Sequence, residues 1–381
     1  MVYSKFNAVK KKHDAHTSKR GSCYRCRSIA ISRTSMALSQ HPPTRLINVS
    51  DPPVCPLPAR LGPAKQSACF SVCDSRLEVD STAALRYFVH PPMNANIRDG
   101  LREFMKRPRL DNVFKMCLAA QSSEELLRAE VVTWRGIMTK IILGEKIELN
   151  VSYHQGVLYL EEHGDSHRQF DGNSEATYMG HKFESICTAS TPSGTAGTSP
   201  VDINTLWAAA ITRTLGSLNL LLVGEVDCVN ASYQESPCPA NYIELKTKKL
   251  DHGGQKPTIP NRKKWDIQSH LLGASEIFVG FPDAQGVVRQ CESMAVRDME
   301  HLQPRIDWSS RVLHKLKEHC ADSATEGGAV KVWRVEVRSQ HVDIRELGAR
   351  EVQQLNKHGV ARNGIIPVSF IKGLESRRSA A

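Results

Sequence analysis

The 381-residue sequence predicts an α+β fold, a single domain on a mixed, largely antiparallel central sheet with flanking helices. Three observations point there. Strand-like segments outnumber helical ones, several are joined by short turns, and strands and helices neither alternate regularly nor repeat. The composition, 40% hydrophobic and 24% charged, is that of a globular chain long enough to bury a core without disulfides.

The first segment has a different character. Residues 1–66 are rich in Ser, Lys, Arg and Pro, lack periodicity and are expected to be a disordered tail. Residues 1–50 hold ten Lys and Arg against one acid, Asp14. Nearly all of the net charge of +10 therefore belongs to the tail, and the basic balance does not mark the body as a nucleic-acid binder. The tail suits a transit peptide, a nuclear signal at Lys10–Lys12, or a solvated segment with no address. The start shows no secretory pattern. The oiliest stretch, residues 206–223, is interrupted by Arg213, so no membrane span is expected. Eleven scattered cysteines read as free thiols, which makes the N-x-S triplets at Asn48, Asn150 and Asn230 chance matches. Cys23 and Cys26 form a C-x-x-C, but Cys69 and Cys73 are a poor second pair for zinc.

Order is expected over residues 67–372, with a short disordered tail at 373–381. "CFSVCD" and "ALRYFVHPP" read as strands, the second stopped by Pro91 and Pro92. "SSEELLRAEV" carries a Ser cap and acids in its first turn, which predicts a helical turn. "VVTWRGIMTKIIL" reads as a strand, "KIELNVSYHQGVLYLEEH" as two strands around Gln155-Gly156, and "TYMGHKFESICT" as another strand. A loop leads to a helix at 205–215. The segments "LLLVGEVDCV" and "NYIELKTKK" follow as strands, then a helix at 263–272, the strand "EIFVGFPD", the helix "IDWSSRVLHKLKEHC" and the strands of "VKVWRVEVRSQHVDIREL".

Two of these oily strands carry charge. Side chains alternate along a strand, so Glu225 and Asp227 share a face, as do Glu244 and Lys246. In an antiparallel hairpin, 225 with 246 and 227 with 244 satisfy one register, setting Asp227 beside Glu244 and Glu225 beside Lys246. Three carboxylates on an apolar sheet are costly without cations. Mg²⁺ and Mn²⁺ take carboxylate and carbonyl oxygens and keep waters that serve as nucleophiles. A neighbouring lysine orients such a water and offsets phosphate charge. An acid and a lysine two apart on one strand, with an acid on the next, is the arrangement of restriction-endonuclease-type nucleases. The competing reading is ordinary ion pairs on a solvated sheet face.

Over residues 67–372 the chain resembles the decapping exoribonuclease (DXO) family. The matching segments run in family order: "LRYFVHPP" at 85–92, "VTWRGIMTKI" at 132–141, "YMGHKFES" at 178–185, "GEVDC" at 224–228, "IELKT" at 243–247 and "KKWDIQS" at 263–269. The resemblance implies metal ligation by Glu184, Glu225, Asp227, Glu244 and the Leu245 carbonyl. It implies a phosphate contact from Arg135, with Trp134 and Gly136 lining the same pocket, and Lys246 and Gln268 at the reacting phosphate. His181 and His270 lie near these motifs and read as packing or surface residues. An aromatic is commoner in the family where His270 stands, and Asp266 is an unexpected charge; both can reshape the pocket.

The implied function is metal-dependent hydrolysis at RNA 5′ ends, on incomplete caps, 5′-triphosphates or NAD caps, with 5′ to 3′ degradation as an added activity. The implied cofactor is one or two Mg²⁺ or Mn²⁺, and the implied partner, besides RNA, is an exonuclease. The alternatives are a DNA nuclease with the same core and a catalytically silent RNA-binding partner of an exonuclease. A nuclear location is expected, with the cytoplasm as the alternative.

Overall fold

A computed structural model describes residues 44–47, 49, 58–98, 110–164, 175–196, 201, 204–230, 238–323, 330–339, 341–356 and 359–380. Lys10–Lys12, Cys23 and Cys26 lie outside them.

The chain forms strands β1 (Arg45–Ile47), β2 (Lys65–Cys73), β3 (Arg76–Val79) and β4 (Tyr87–Phe88), then helices α1 (Asp111–Ala119) and α2 (Ser123–Leu126). Strand β5 (Val131–Trp134) runs directly into α3 (Arg135–Leu143). A hairpin of β6 (Ile147–His154) and β7 (Val157–Glu162) precedes α4 (Glu175–Ile186) and β8 (Thr188–Ala189). Next come β9 (Leu206–Leu215), β10 (Leu218–Glu225), β11 (Cys228–Val229) and β12 (Tyr242–Thr247). Helix α5 (Arg262–Leu272), strands β13 (Glu276–Pro282) and β14 (Val288–Ala295) and helix α6 (Gln303–Asp322) follow. The chain closes with β15 (Trp333–Val337), β16 (Val342–Glu346), α7 (Ala349–Leu355), the short pair β17 (Arg362–Asn363) and β18 (Ile366–Pro367), and α8 (Val368–Ala380).

The strands make two principal sheets rather than one. The larger runs β1-β16-β15-β6-β7-β5-β10-β9-β2-β3 and is antiparallel except where β5 pairs with β7 and β10. The smaller runs β14-β13-β12-β11-β4-β8. Strand β10 shows why its sequence is oily throughout. Leu220 and Leu222 enter a core with α3, α5 and α6, while Leu221 and Val223 enter one with α1 and α8. A strand covered on both faces has no polar face to alternate with.

Several elements depart from the sequence reading. The 205–215 segment is strand β9, although three consecutive alanines favour helix; pairing with β10 and β2 overrides that weak preference. "TYMGHKFESI" is helical within α4, and Arg135 opens a helix instead of lying on a strand. Strand β1 lies within residues 1–66, and α8 runs on to Ala380 through the segment expected to be a disordered tail. The turn at Gln155-Gly156 stands as expected, both residues having positive φ, 51° and 88°.

Candidate active site

The site lies where the chain passes from one sheet to the other. Glu225 ends β10, paired with Ala208 in the large sheet. Three residues later β11 begins in the small sheet, paired with β12 as Cys228 to Ile243 and Val229 to Tyr242. Extended by one step, that register sets Asp227 opposite Glu244, as the hairpin arithmetic required. It does not set Glu225 opposite Lys246, because Glu225 belongs to the other sheet. The segment "GEVDC" is a bridge, and its two acids are delivered from two sheets.

Glu244 is the most enclosed of these acids, 4% exposed. Arg135 Nη1 donates to Glu244 Oε2 at 2.9 Å and Lys246 Nζ to Oε1 at 2.6 Å. Burial alone would raise this carboxyl, but the two cations outweigh it and hold it at about 2. Asp227 is less well served. Its Oδ2 accepts from the Leu245 amide at 2.8 Å, and Lys246 Nζ stands 3.7 Å away. Burial first, then the Glu244 charge, push its carboxyl well above the usual range, with Glu184 adding to the repulsion.

Lys246 Nζ also donates to the Leu245 carbonyl at 3.0 Å. Arg135 is half-buried, held by Glu244 first and then by Asp227 and Glu225, and its Nη1 lies 3.5 Å from the Gln268 carbonyl. Glu184 stands on α4, half-buried, with Oε2 3.0 Å from His181 Nδ1. Glu184 and Lys246 line one wall of a cavity of about 340 Å³.

Among the described residues, no three His, Cys, Asp or Glu side chains already surround one point as ligands. The cations explain this, since Arg135 and Lys246 draw the Glu244 oxygens towards themselves. The donor set nonetheless fits a hard divalent cation. The Asp227 carboxyl is raised by burial and by neighbouring acids for want of a closer cation, and each carboxylate oxygen keeps a second lone pair.

Residues 63–371 match the RAI1 like PD-(D/E)XK nuclease family. The chain belongs to this family. The rat decapping and exoribonuclease protein is 32% identical over 264 residues, covering 61% of this chain and 66% of that protein, so the match spans just under two thirds of its length. The decapping nuclease Rai1 of Neurospora crassa is 25% identical over 331 residues, covering 76% of this chain and 79% of that protein. In fold, Rai1 of Scheffersomyces stipitis superimposes with a TM-score of 0.69 at 18% identity, covering 88% of this chain and 98% of that one.

Within this nuclease fold the site residues differ in placement. Glu225, Asp227, Glu244, Lys246, Leu245 and Arg135 form one electrostatic group, and Gln268 joins it through its carbonyl. Trp134 instead packs against the cores on both faces of the large sheet. Gly136, on the first turn of α3, has open space around it. The two departures from the family pattern serve the fold. Asp266 is fully buried, and both its oxygens accept from Arg262 Nε at 3.0 Å. His270 lies against Arg213, which donates to the His270 carbonyl at 2.6 Å and to Leu271 O at 3.2 Å, closing the end of α5.

Burial first, and the Arg213 charge second, push the His270 imidazole down to about 4. An unfolded histidine takes its proton near 6.5, so stability is lost as pH falls from about 6.5 towards 4, by up to roughly 3 kcal/mol. His270→Gln is expected to flatten that part of the curve. Thermal melts between pH 6.5 and 4.5 check it, and parallel slopes for variant and wild type would contradict the assignment.

Two glycines escaped the sequence reading. A Cβ on Gly224 would meet Leu272 at 2.9 Å and Arg135 Cβ at 3.1 Å, so its bareness lets Arg135 lie against β10. Gly280 gives Phe183 the same room. Only the position of Gly224 within the "GEVDC" motif hinted at either.

Proposed function

We propose that the chain hydrolyses phosphorus–oxygen bonds at RNA 5′ ends, removing incomplete caps, triphosphates or NAD caps. The observation that carries this reading is the convergence of Glu225, Asp227, Glu244 and Lys246 at the junction of two sheets in a chain of a nuclease family. Two neighbours of the same fold support the substrate class: Candida albicans Rai1 is known in complex with pU5-Mn²⁺, and the Scheffersomyces stipitis protein with (3′-NADP)⁺ and calcium.

Glu184, Glu225, Asp227, Glu244 and the Leu245 carbonyl would hold one or two Mg²⁺ or Mn²⁺. Such a cation lowers the pKa of a water and steadies charge on a departing oxygen. The chain supplies the rest. Lys246, fixed between Glu244 and the Leu245 carbonyl, holds positive charge beside the reacting phosphate. Arg135, on the first turn of α3 and braced by Glu244, offers its remaining guanidinium N–H groups to a neighbouring phosphate. Gln268, on α5 with its carbonyl beside Arg135, would lie at the reacting phosphate.

The deciding experiment incubates 5′-triphosphate, GpppN-ended and NAD-ended RNAs, and DNA of the same sequence, with Mg²⁺ or Mn²⁺, and identifies the released product. The expected result is release of the 5′ group from RNA, with DNA at least about tenfold slower because 2′-hydroxyl contacts are missing. Equal action on DNA would make the chain a general nuclease. RNA binding without turnover in either metal would make it a silent partner of another exonuclease. Either outcome overturns the proposal.

A further inference from the structure

The cavity beside Glu184 extends past the catalytic lysine. Besides Glu184 and Lys246, its wall includes Thr247, Lys248, Pro260 and Trp265. Lys246 and Lys248 are two apart on one extended segment. The Lys248 amide donates to the Gly280 carbonyl at 3.0 Å, so the backbone stays on the β13 ladder one residue beyond β12. Residues two apart on a strand project to the same side, about 7 Å from each other. Both lysines therefore enter one cavity, spaced like successive phosphates along an extended RNA strand.

The two ammonium groups differ in commitment. Lys246 Nζ is bound to Glu244 and to the Leu245 carbonyl. Lys248 is half-buried, and among the described residues its ammonium has no carboxylate within 4.0 Å, unlike nearby Lys256 and Lys264, which pair with Glu292 and Glu145. A cation kept off the solvated surface, facing a cavity and lacking an acid, suits an anionic ligand. Trp265, 9% exposed, supplies an apolar wall there. The strip thus offers charge at phosphate spacing beside an aromatic surface, the combination that holds single-stranded nucleic acid.

We propose that Lys248 grips the backbone phosphate adjacent to the scissile one and is a substrate-positioning contact of this enzyme. This rests on the RNA 5′-end reading above and names one contact within it. Lys248 reads no base and sets how firmly an RNA strand is held as its reacting phosphate meets Lys246.

The test pairs a protein change with a substrate change. Short 5′-triphosphate RNAs carrying a single neutral methylphosphonate at each successive linkage are given to wild type, Lys248→Met and Lys248→Arg. Turnover and fluorescence-anisotropy binding are both read. Lys248→Met keeps the stem and removes the charge, and circular dichroism confirms its fold. With unmodified RNA it should raise KM about tenfold, with the loss in KM rather than kcat, and lower the slope of log affinity against log salt by about one. In wild type, a methylphosphonate next to the scissile linkage should cost a similar factor. In Lys248→Met the same substitution should cost little more, because both changes remove one contact. Lys248→Arg should keep the wild-type pattern.

Equal methylphosphonate penalties in wild type and Lys248→Met at every linkage, with unchanged salt slopes, would overturn the assignment. If wild type turns over no RNA, the reading of function fails, and the binding arm still decides whether Lys248 holds a phosphate.

Discussion

Asp227→Asn is expected to abolish turnover, at least about 10³-fold, while making the metal-free protein more stable. The two effects share a cause. Glu244 has both cations in contact, at 2.9 and 2.6 Å, whereas Asp227 has Lys246 at 3.7 Å and faces the charges of Glu244 and Glu184. Ionised Asp227 is therefore penalised in the fold, and its carboxyl is pushed well above the usual range. A group raised in this way lowers stability at neutral pH, and the deficit shrinks as pH falls through its folded pKa. Asparagine keeps the shape and an oxygen for the Leu245 amide but removes the charge. The gain should appear as a rise in Tm of about 2–4 °C without metal at pH 7, narrowing towards acid pH. Mn²⁺ should raise the wild-type Tm and leave the variant nearly unmoved. Thermal melts with and without Mn²⁺ read all three effects. A variant that loses stability without metal, or still gains it from Mn²⁺, would show that Asp227 is an ordinary structural acid.

That behaviour was half legible in the sequence. Charge on oily strands at 225, 227, 244 and 246 announced a site, because several acids on one apolar sheet are costly without cations. The 227–244 register followed from alternation and held between β11 and β12. The change of sheet at Val226 had no local signature. A bridge between sheets looks like one continuous strand when both halves are apolar, so Glu225 was assigned to the wrong neighbour. Helix α4 was mistaken for a strand for a related reason. Its buried residues Tyr178, Phe183 and Ile186 are too few to set a period, and Glu184 lines the cavity rather than facing open water. Asp266 and His270 looked like changes to the pocket, yet they answer Arg262 and Arg213, partners distant from the recognised motifs in function if not in sequence. Pairings of that kind become visible only once the helix ends and strand edges are placed.

Gly280→Ala is expected to cost about 1–3 kcal/mol of stability and to lower kcat about a hundredfold, although residue 280 carries no chemistry. A Cβ there would lie 2.2 Å from Phe183 Cε2 and 2.5 Å from Cζ. Phe183 cannot swing away easily, because it is fully buried and stacked on Phe278 with an interplanar angle of 8°. The ring must move with its helix, and the next residue on that helix is Glu184. Gly280 is also paired with Thr247, one residue beyond Lys246, so the strain enters the site from both strand and helix. If this crowding is the cause, shrinking the ring should relieve it. Phe183→Leu alone leaves a small void and a modest loss of stability. Combined with Gly280→Ala it should restore at least about 1 kcal/mol and most of the lost kcat, a coupling that independent sites would not show. Additive losses in the double variant, or a Gly280→Ala protein with wild-type Tm and kcat, would mean that β13 yields without disturbing α4. Rescue would show that a close contact with no polar atom in it sets the position of the Glu184 carboxylate.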